Sequence, residues 1–190
     1  MSETGLSIVP MTKRVMNLAG FLTQTANRLP EEIGFVWADR TWTWKDIRQR
    51  VDAMAAALHE QFGVRKGDRI LVQSQNCNQM FESMFACFRL GAVWVPANFR
   101  QTPGEVAYLA SSSGARGMIC GRAFPDHAAA CLAANENLDF VISIGASDFG
   151  EDYDALVGKF AGQSVPVAPV DHDDACWFFF TSGTTGKPKA

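Results

Sequence analysis

Residues 181–190, Thr-Ser-Gly-Thr-Thr-Gly-Lys-Pro-Lys-Ala, combine the chemical groups that bind a polyphosphate. Such a site needs backbone N–H groups that can turn inward, hydroxyls that donate hydrogen bonds, and a cation that offsets negative charge. Glycine supplies the flexible backbone, serine and threonine the hydroxyls, and lysine the cation. We therefore predict a loop that binds the phosphates of ATP. Its candidate residues are Thr181, Ser182, Gly183, Thr184, Thr185, Gly186, Lys187 and Lys189.

Two other interpretations of this segment were weighed. A Walker A loop requires glycine where Thr181 stands and a hydroxyl residue where Pro188 stands, so both of its requirements fail. A flexible Ser/Thr/Gly linker stays open as an alternative. The apolar run at residues 176–180 favours a binding loop, because ligands of α/β proteins bind beyond the carboxyl ends of sheet strands.

Residues 181–189 resemble the signature loop of the adenylate-forming superfamily, which includes acyl-CoA synthetases, adenylation domains of peptide synthetases and firefly luciferases. Residues 41–44, 67–70 and 85–98 also resemble the amino-terminal region of that family in order and spacing. The resemblance begins at about Leu18 and is greatest to acyl-CoA synthetases. We therefore divide the chain into an amino-terminal extension, residues 1–17, and an incomplete AMP-binding domain, residues 18–190.

The resemblance implies a two-step reaction with ATP, Mg²⁺ and coenzyme A. A fatty or aromatic carboxylate attacks the α-phosphorus of MgATP, which gives an acyl-adenylate and pyrophosphate, and the thiol of coenzyme A then takes the acyl group. The loop would hold the departing β- and γ-phosphates. A carrier-protein thiol is the alternative acceptor, and the lack of a carrier domain in this chain favours coenzyme A only weakly.

The sequence departs from the family pattern in two respects. Ala190 stands where family members usually carry glycine. The family motifs for adenine, magnesium and ribose, and its catalytic lysine, all follow the loop, so no catalytic residue and no metal ligand is assigned here. We expect the 190 residues to be an inactive fragment, or alternatively a noncatalytic remnant that serves as a nucleotide-binding or interaction module.

The elements upstream must position the loop, and their pattern predicts an α/β fold with a mainly parallel sheet and flanking helices. Helical periodicity predicts helices at residues 18–29, 45–62, 79–90, 102–113, 123–135 and 153–160. Short β-prone runs predict a hairpin across residues 33–44 and strands at 69–74, 92–95, 117–120, 140–144 and 176–180. The last of these is fully apolar, and we expect it to be a buried strand.

Composition excludes several classes of function. The net charge of −3 offers no basic surface for nucleic acid. The longest apolar run has six residues, far short of the roughly 20 that a membrane-spanning helix needs, and no secretory signal is recognised, so we expect a cytoplasmic protein. The five cysteines contain no C-x-x-C pair and indicate free thiols. A homodimer stays open as an oligomeric state.

The three histidines and residues 98–100 are further candidates for a functional role, but another interpretation is preferred for each. His59 and His127 lie in predicted amphipathic helices without partners for a metal or a nucleophile, and His172 lies in a polar linker, so we assign no metal to them. Residues 98–100 could line a cleft or contact another subunit, but an ordinary connection is the preferred interpretation.

Overall fold

The computed structural model describes residues 14–181, in which helices and strands alternate. The helices are α1 (Ala19–Arg28), α2 (Trp44–Glu60), α3 (Asn78–Leu90), α4 (Pro103–Ser113), α5 (Pro125–Ala134) and α6 (Tyr153–Lys159). The strands are β1 (Arg14–Val15), β2 (Ile33–Trp37), β3 (Arg40–Thr43), β4 (Arg69–Gln73), β5 (Val93–Pro96), β6 (Gly117–Gly121), β7 (Phe140–Ile144), β8 (Glu151–Asp152) and β9 (Val170–Asp171). No helix of this region is long and apolar enough to cross a bilayer.

The centre of the fold is a five-stranded sheet with the order β5-β4-β6-β7-β8, and every pair in it is parallel. Parallel neighbours require a crossover connection, and helices α3, α4 and α5 supply it between β4, β5, β6 and β7. The predicted α/β class with a mainly parallel sheet is therefore confirmed. The chain moves outward from β4 to β5 and then crosses back to β6, so the direction of winding reverses beside β4.

Two hydrophobic clusters cover the two faces of this sheet. Ile70 and Val72 of β4 point into a cluster shared with α2, α3 and α6. Leu71, between them, points into a second cluster shared with α4 and α5. Because side chains alternate along a strand and both faces are covered, the central strands are mainly apolar, although Gln73 of β4 and Ser143 of β7 are buried polar residues. The sequence therefore folds into three layers.

The amino-terminal elements attach to the first of these clusters. Ala19 and Leu22 of α1 are buried in it, and the Asn17 side chain, just before the helix, accepts a hydrogen bond from the Ala19 N–H at 2.9 Å. The predicted hairpin is confirmed, as β2 pairs antiparallel with β3. Its turn lacks glycine, and Ala38 takes up the left-handed backbone conformation with φ of 53°.

Side chains from earlier elements hold the long connection after α6. Arg89 Nε donates to the Val165 carbonyl at 2.8 Å, and Asn17 Nδ2 donates to the Ala168 carbonyl at 3.1 Å. Lys66 Nζ forms an ion pair with Asp174 at 2.6 Å, and β9 pairs with β1. The connection therefore leads the chain back along the outer side of β5.

A reciprocal hydrogen-bonded cap starts α4, as the Thr102-Pro103 pair predicts. Thr102 Oγ1 accepts from the Glu105 N–H at 3.4 Å, and the Glu105 carboxylate accepts from the Thr102 N–H at 2.7 Å. Hydrogen bonds from the Thr102 backbone and side chain hold the pKa of Glu105 below its usual value. The cap fixes the end of the connection that follows β5.

Replacing Thr102 with Ala should lower the free energy of unfolding by about 1 kcal/mol at neutral pH, because the helix loses its cap. The pKa of Glu105 is lower in the folded state than in the unfolded state. The contribution of its carboxylate to the free energy of unfolding is therefore fully present above the pKa of the unfolded state, and it is lost as the pH falls through the pKa of the folded state. The difference in free energy of unfolding between the variant and the unmodified chain should therefore be smaller in acid. Urea denaturation at several pH values measures this difference. Thr25→Ala within α1 is the control, and an equal loss in that variant would contradict the capping role.

Candidate functional site

A cleft of about 370 Å³ lies at the carboxyl ends of β4 and β5. Three segments form its walls: the connection from β4 to α3, the connection from β5 to α4, and the end of the described chain. Its lining residues are Ser74, Asn76, Met80, Pro96, Ala97, Asn98, Phe99, Arg100, Phe179 and Phe180. Ligands of open parallel sheets bind at this edge, beyond the carboxyl ends of the strands.

The residues before the predicted loop extend the sheet beyond β5. The Trp94 N–H donates to the Cys176 carbonyl at 2.9 Å, and the Phe178 N–H donates to the Trp94 carbonyl at 3.1 Å. Trp177 thereby forms a parallel bridge with Trp94. This parallel direction brings Phe179, Phe180 and then Thr181 to the same edge as the cleft.

The predicted strand at residues 176–180 is wrong in its burial and its regularity. Its backbone forms a single bridge rather than a continuous strand. Cys176 is exposed, and Phe179 retains 61% of its accessible surface. Within the described chain, β5 pairs with one side of residues 176–180, and no strand pairs with their other side. Their apolar composition was therefore not enough to bury them.

Aromatic side chains of this segment and of β5 pack against one another. The Trp177 ring stacks on Phe179 with centroids 4.3 Å apart and an interplanar angle of 19°. Trp177 also meets Trp94 edge to face at 4.8 Å. Trp94 Nε1 donates to Ser83 Oγ at 3.1 Å, which fixes the orientation of the indole. Of these rings, that of Phe179 lines the cleft together with Phe180, and both can contact an apolar group.

The opposite side carries a positive charge. The Arg100 guanidinium lies over the Phe99 ring, 4.5 Å from its centroid. Asn98 Oδ1 accepts from the Arg100 N–H at 3.0 Å, and Gln101 Oε1 accepts from the Asn98 N–H at 2.9 Å. Among the described lining residues Arg100 is the one charged side chain, and no carboxylate is present. This arrangement favours an anionic ligand.

The connection from β4 to α3 contributes polar groups but no activated nucleophile. Ser74 Oγ donates to the Gln75 carbonyl at 2.8 Å. Burial raises the pKa of the neighbouring Cys77 thiol, and hydrogen bonds from Met80 and Ser74 only partly offset this effect. A raised pKa keeps the sulfur protonated at neutral pH. The cleft can therefore bind and orient a ligand, but its described residues offer no covalent catalyst.

The structure reaches only the first residue of the predicted phosphate loop. Thr181 lies at the carboxyl edge, and Ser182, Gly183, Thr184, Thr185, Gly186, Lys187 and Lys189 lie outside the described residues. Residues 98–100, interpreted from sequence as an ordinary connection, line the cleft instead. The signal that could have identified them is their position directly after β5.

The three histidines lie away from this cleft. His59 is at the end of α2, with Nδ1 3.3 Å from the Val64 carbonyl, and His127 Nε2 is 2.8 Å from the Gln101 carbonyl. His172 follows β9 and forms a contact with Asp173. Between residues 14 and 181 no three His, Cys, Asp or Glu side chains converge as they would around a metal.

A larger cavity, of about 540 Å³, lies elsewhere, between α2 and residues 161–164. Its main charged groups, Arg50 and Asp52, already have partners in Glu82 and Arg89. We therefore regard the cleft at the carboxyl edge as the candidate site.

Residues 22–190 match the family model described as AMP-binding enzyme. The chain belongs to this family. Its curated relatives include a feruloyl-CoA synthase of an Amycolatopsis species, 36% identical over 149 residues. They also include a 3-oxocholest-4-en-26-oate–CoA ligase of Rhodococcus rhodochrous, 27% identical over 183 residues. These alignments cover 77% and 92% of this chain but only 27% and 32% of the two relatives.

Solved structures of ligases share the fold of this chain. The structure of an anthranilate CoA ligase in complex with anthranoyl-AMP matches with a TM-score of 0.85 at 20% identity, over 94% of this chain and 34% of that one. The O-succinylbenzoate coenzyme A synthetase of Bacillus subtilis, in complex with AMP, matches with a TM-score of 0.70 at 29% identity, over 89% of this chain and 40% of that one. The chain thus spans about a third of the AMP-binding enzymes that it resembles.

Proposed function

We propose that the protein containing this chain activates a carboxylic acid with ATP and transfers the acyl group to coenzyme A. The observation that carries this proposal is the parallel pairing of residues 176–178 with Trp94. This pairing directs the predicted phosphate loop toward a cleft without carboxylates. The match of residues 22–190 to AMP-binding enzymes supports the same function.

The loop is assigned to the first half-reaction. A carboxylate oxygen bonds to the α-phosphorus of ATP, the bond from that phosphorus to the bridging oxygen breaks, and pyrophosphate leaves with the electron pair. Thr181, the backbone N–H groups that follow it and the Lys187 ammonium group would hold the departing phosphates and offset their charge. Such chemistry needs positioning and electrostatic stabilisation rather than a covalent protein intermediate. Coenzyme A thiol then displaces AMP from the acyl carbon.

The same cleft suits the other groups of the reaction. Phe179 and Phe180 offer apolar contact, and Arg100 offers a charge to a phosphate or carboxylate. Several relatives are named for aromatic acids, feruloyl and anthranilate among them. We propose an aromatic or fatty carboxylic acid as the substrate.

Mg²⁺ is assigned no ligand in this chain. The described lining of the cleft contains no carboxylate, the protein ligand that usually holds Mg²⁺ beside substrate phosphates. When it accompanies ATP, the ion would offset phosphate charge.

The phosphate-holding role predicts an asymmetric effect of Lys187→Ala in a full-length enzyme that contains these residues. Adenylation should slow by roughly a hundredfold, because a charge-assisted contact to the departing phosphates is lost. Thioester formation from a supplied acyl-adenylate should be unchanged, because pyrophosphate has already left. Single-turnover measurements of the two half-reactions provide the test.

Lys159→Ala is the matched control, since this lysine ends α6, away from the cleft, and pairs with Gln61. Its rates should equal those of the unmodified enzyme. Equal losses in both half-reactions of Lys187→Ala, or no loss in adenylation, would show that the segment is a linker.

The isolated 190-residue polypeptide should form no acyl-adenylate. It spans 27% to 32% of the relatives cited, and it holds no assigned catalytic residue, while positioning by the rest of such a site supplies much of the rate acceleration. Pyrophosphate exchange with a panel of aromatic and fatty acids measures this, with the feruloyl-CoA synthase as positive control. Exchange above the background without enzyme would refute it.

A further inference from the structure

A buried ion network joins three helices behind the cleft. Arg50 of α2 forms two hydrogen bonds to the Glu82 carboxylate of α3, with Nε–Oε1 at 2.7 Å and Nη2–Oε2 at 3.1 Å. The same Nη2 atom donates to Asp154 Oδ1 of α6. The Arg50 guanidinium therefore binds carboxylates that lie 32 and 104 residues further along the chain, and it connects α2 with α3 and α6.

The network lies in a low-dielectric environment. The Glu82 side chain is 1% exposed and that of Arg50 is 17% exposed, whereas Asp154, at the outer end of the network, is 41% exposed. Burial acts to lower the Arg50 pKa, but the hydrogen bonds and charges of Glu82 and Asp154 outweigh it and raise the pKa above its ordinary value. Burial and the Glu82 charge raise the pKa of the adjacent Tyr153 hydroxyl. An unpaired charge at this depth would be strongly unfavourable.

The network continues into the first turn of α3. Asn78 Nδ2 donates to Glu82 Oε1 at 2.9 Å, and Gln79 Nε2 donates to Asp154 Oδ2 at 2.9 Å. Asn78 and Gln79 therefore attach the start of α3 to Arg50 and its partners.

That turn carries one wall of the cleft. Ser74 and Asn76, in the connection that enters α3, line the cleft together with Met80 from the first turn of the helix. The side-chain hydrogen bonds of Ser74 stay within the connection itself. The position of this wall thus depends on how the first turn is anchored.

We propose that Arg50 is a positioning residue: through Glu82 and Asp154 it fixes the start of α3 and, with it, the wall of the cleft formed by residues 74–80. The identity of the ligand that uses this wall rests on the proposed function, but the coupling between Arg50 and the wall does not. Replacing a buried ion pair by apolar groups is often neutral for stability, whereas removing one partner is costly. Because Glu82 and Asp154 bond both to Arg50 and to the first turn of α3, we expect the loss of protection to be greatest in the wall.

Amide hydrogen exchange of the 190-residue chain tests the coupling. In Arg50→Met, Glu82 is left buried without its cation, and protection of residues 74–81 should fall by about a hundredfold. Protection of β6, in the middle of the sheet, reports global stability and should fall by a factor at least about tenfold smaller than that of residues 74–81. Arg48→Met is the matched control, because Arg48 lies on the same helix, is 38% exposed and pairs with Asp52. Its exchange should match that of the unmodified chain.

The double variant Arg50→Met/Glu82→Gln separates positioning from general structural support. Without the buried charge, and with an amide oxygen still able to accept from Asn78, protection of residues 74–81 should recover to within about tenfold of the unmodified chain. If Arg50→Met does not fold, Arg50→Lys decides the question, because lysine retains the charge but lacks the fork that reaches two carboxylates. In that variant the exchange protection of residues 74–81 should fall by about tenfold, and the protection of β6 should be unchanged.

The proposal would be overturned if protection fell equally in residues 74–81 and in β6, or if it did not fall in residues 74–81. It would also be overturned if protection of residues 74–81 did not recover in the double variant. None of these results depends on catalysis. A wall that loosens as described, in a protein whose full-length form shows no adenylation, would instead refute the proposed function and leave the positioning role of Arg50 standing.

Discussion

Parallel hydrogen bonding between strands is the constraint on which the rest of this structure depends. Because β5, β4, β6 and β7 run in the same direction, their connections all leave at one edge of the sheet. The segment at residues 176–178 joins β5 in the same direction and therefore delivers Thr181 to that edge. Without this pairing, the loop that follows would have no fixed relation to the cleft.

The two sides of the sheet have different roles around this edge. On the side of α4 and α5 the core is apolar, and the capping of α4 by Thr102 fixes where the β5 connection ends. On the side of α2, α3 and α6 the core contains a charged network. Apolar packing determines the overall layers, while directional hydrogen bonds determine where the walls of the cleft stand.

Periodicity and capping residues predicted most of the fold from sequence. The run at residues 140–144 is β7, and the Thr102-Pro103 pair begins α4. These features are local, so a single stretch of sequence contains their cause. Phosphate binding by residues 181–189 was inferred from their Ser/Thr/Gly/Lys composition without reference to the fold, and it stays a prediction, since only Thr181 lies within the described structure.

The features that sequence did not predict are those that join distant segments. The pairing of β1 with β9 involves two residues on each strand, too few for any periodic signal. The bond from Arg50 to Asp154 crosses 104 residues, and it exists only after the crossovers have stacked α2 beside α6. Phe179 was expected to be buried because of its apolar neighbours, but burial depends on a strand on either side.

The most direct test of the central claim is a crystal structure of a full-length enzyme containing these residues, bound to a nonhydrolysable ATP analogue. We expect β- and γ-phosphate oxygens within about 3 Å of the backbone N–H groups and hydroxyls of residues 181–186 and of Lys187 Nζ. We also expect residues 98–100 and 179–180 to border the bound molecule. Phosphates bound elsewhere, for example in the cavity beside residues 161–164, with residues 181–189 out of contact, would contradict the central claim.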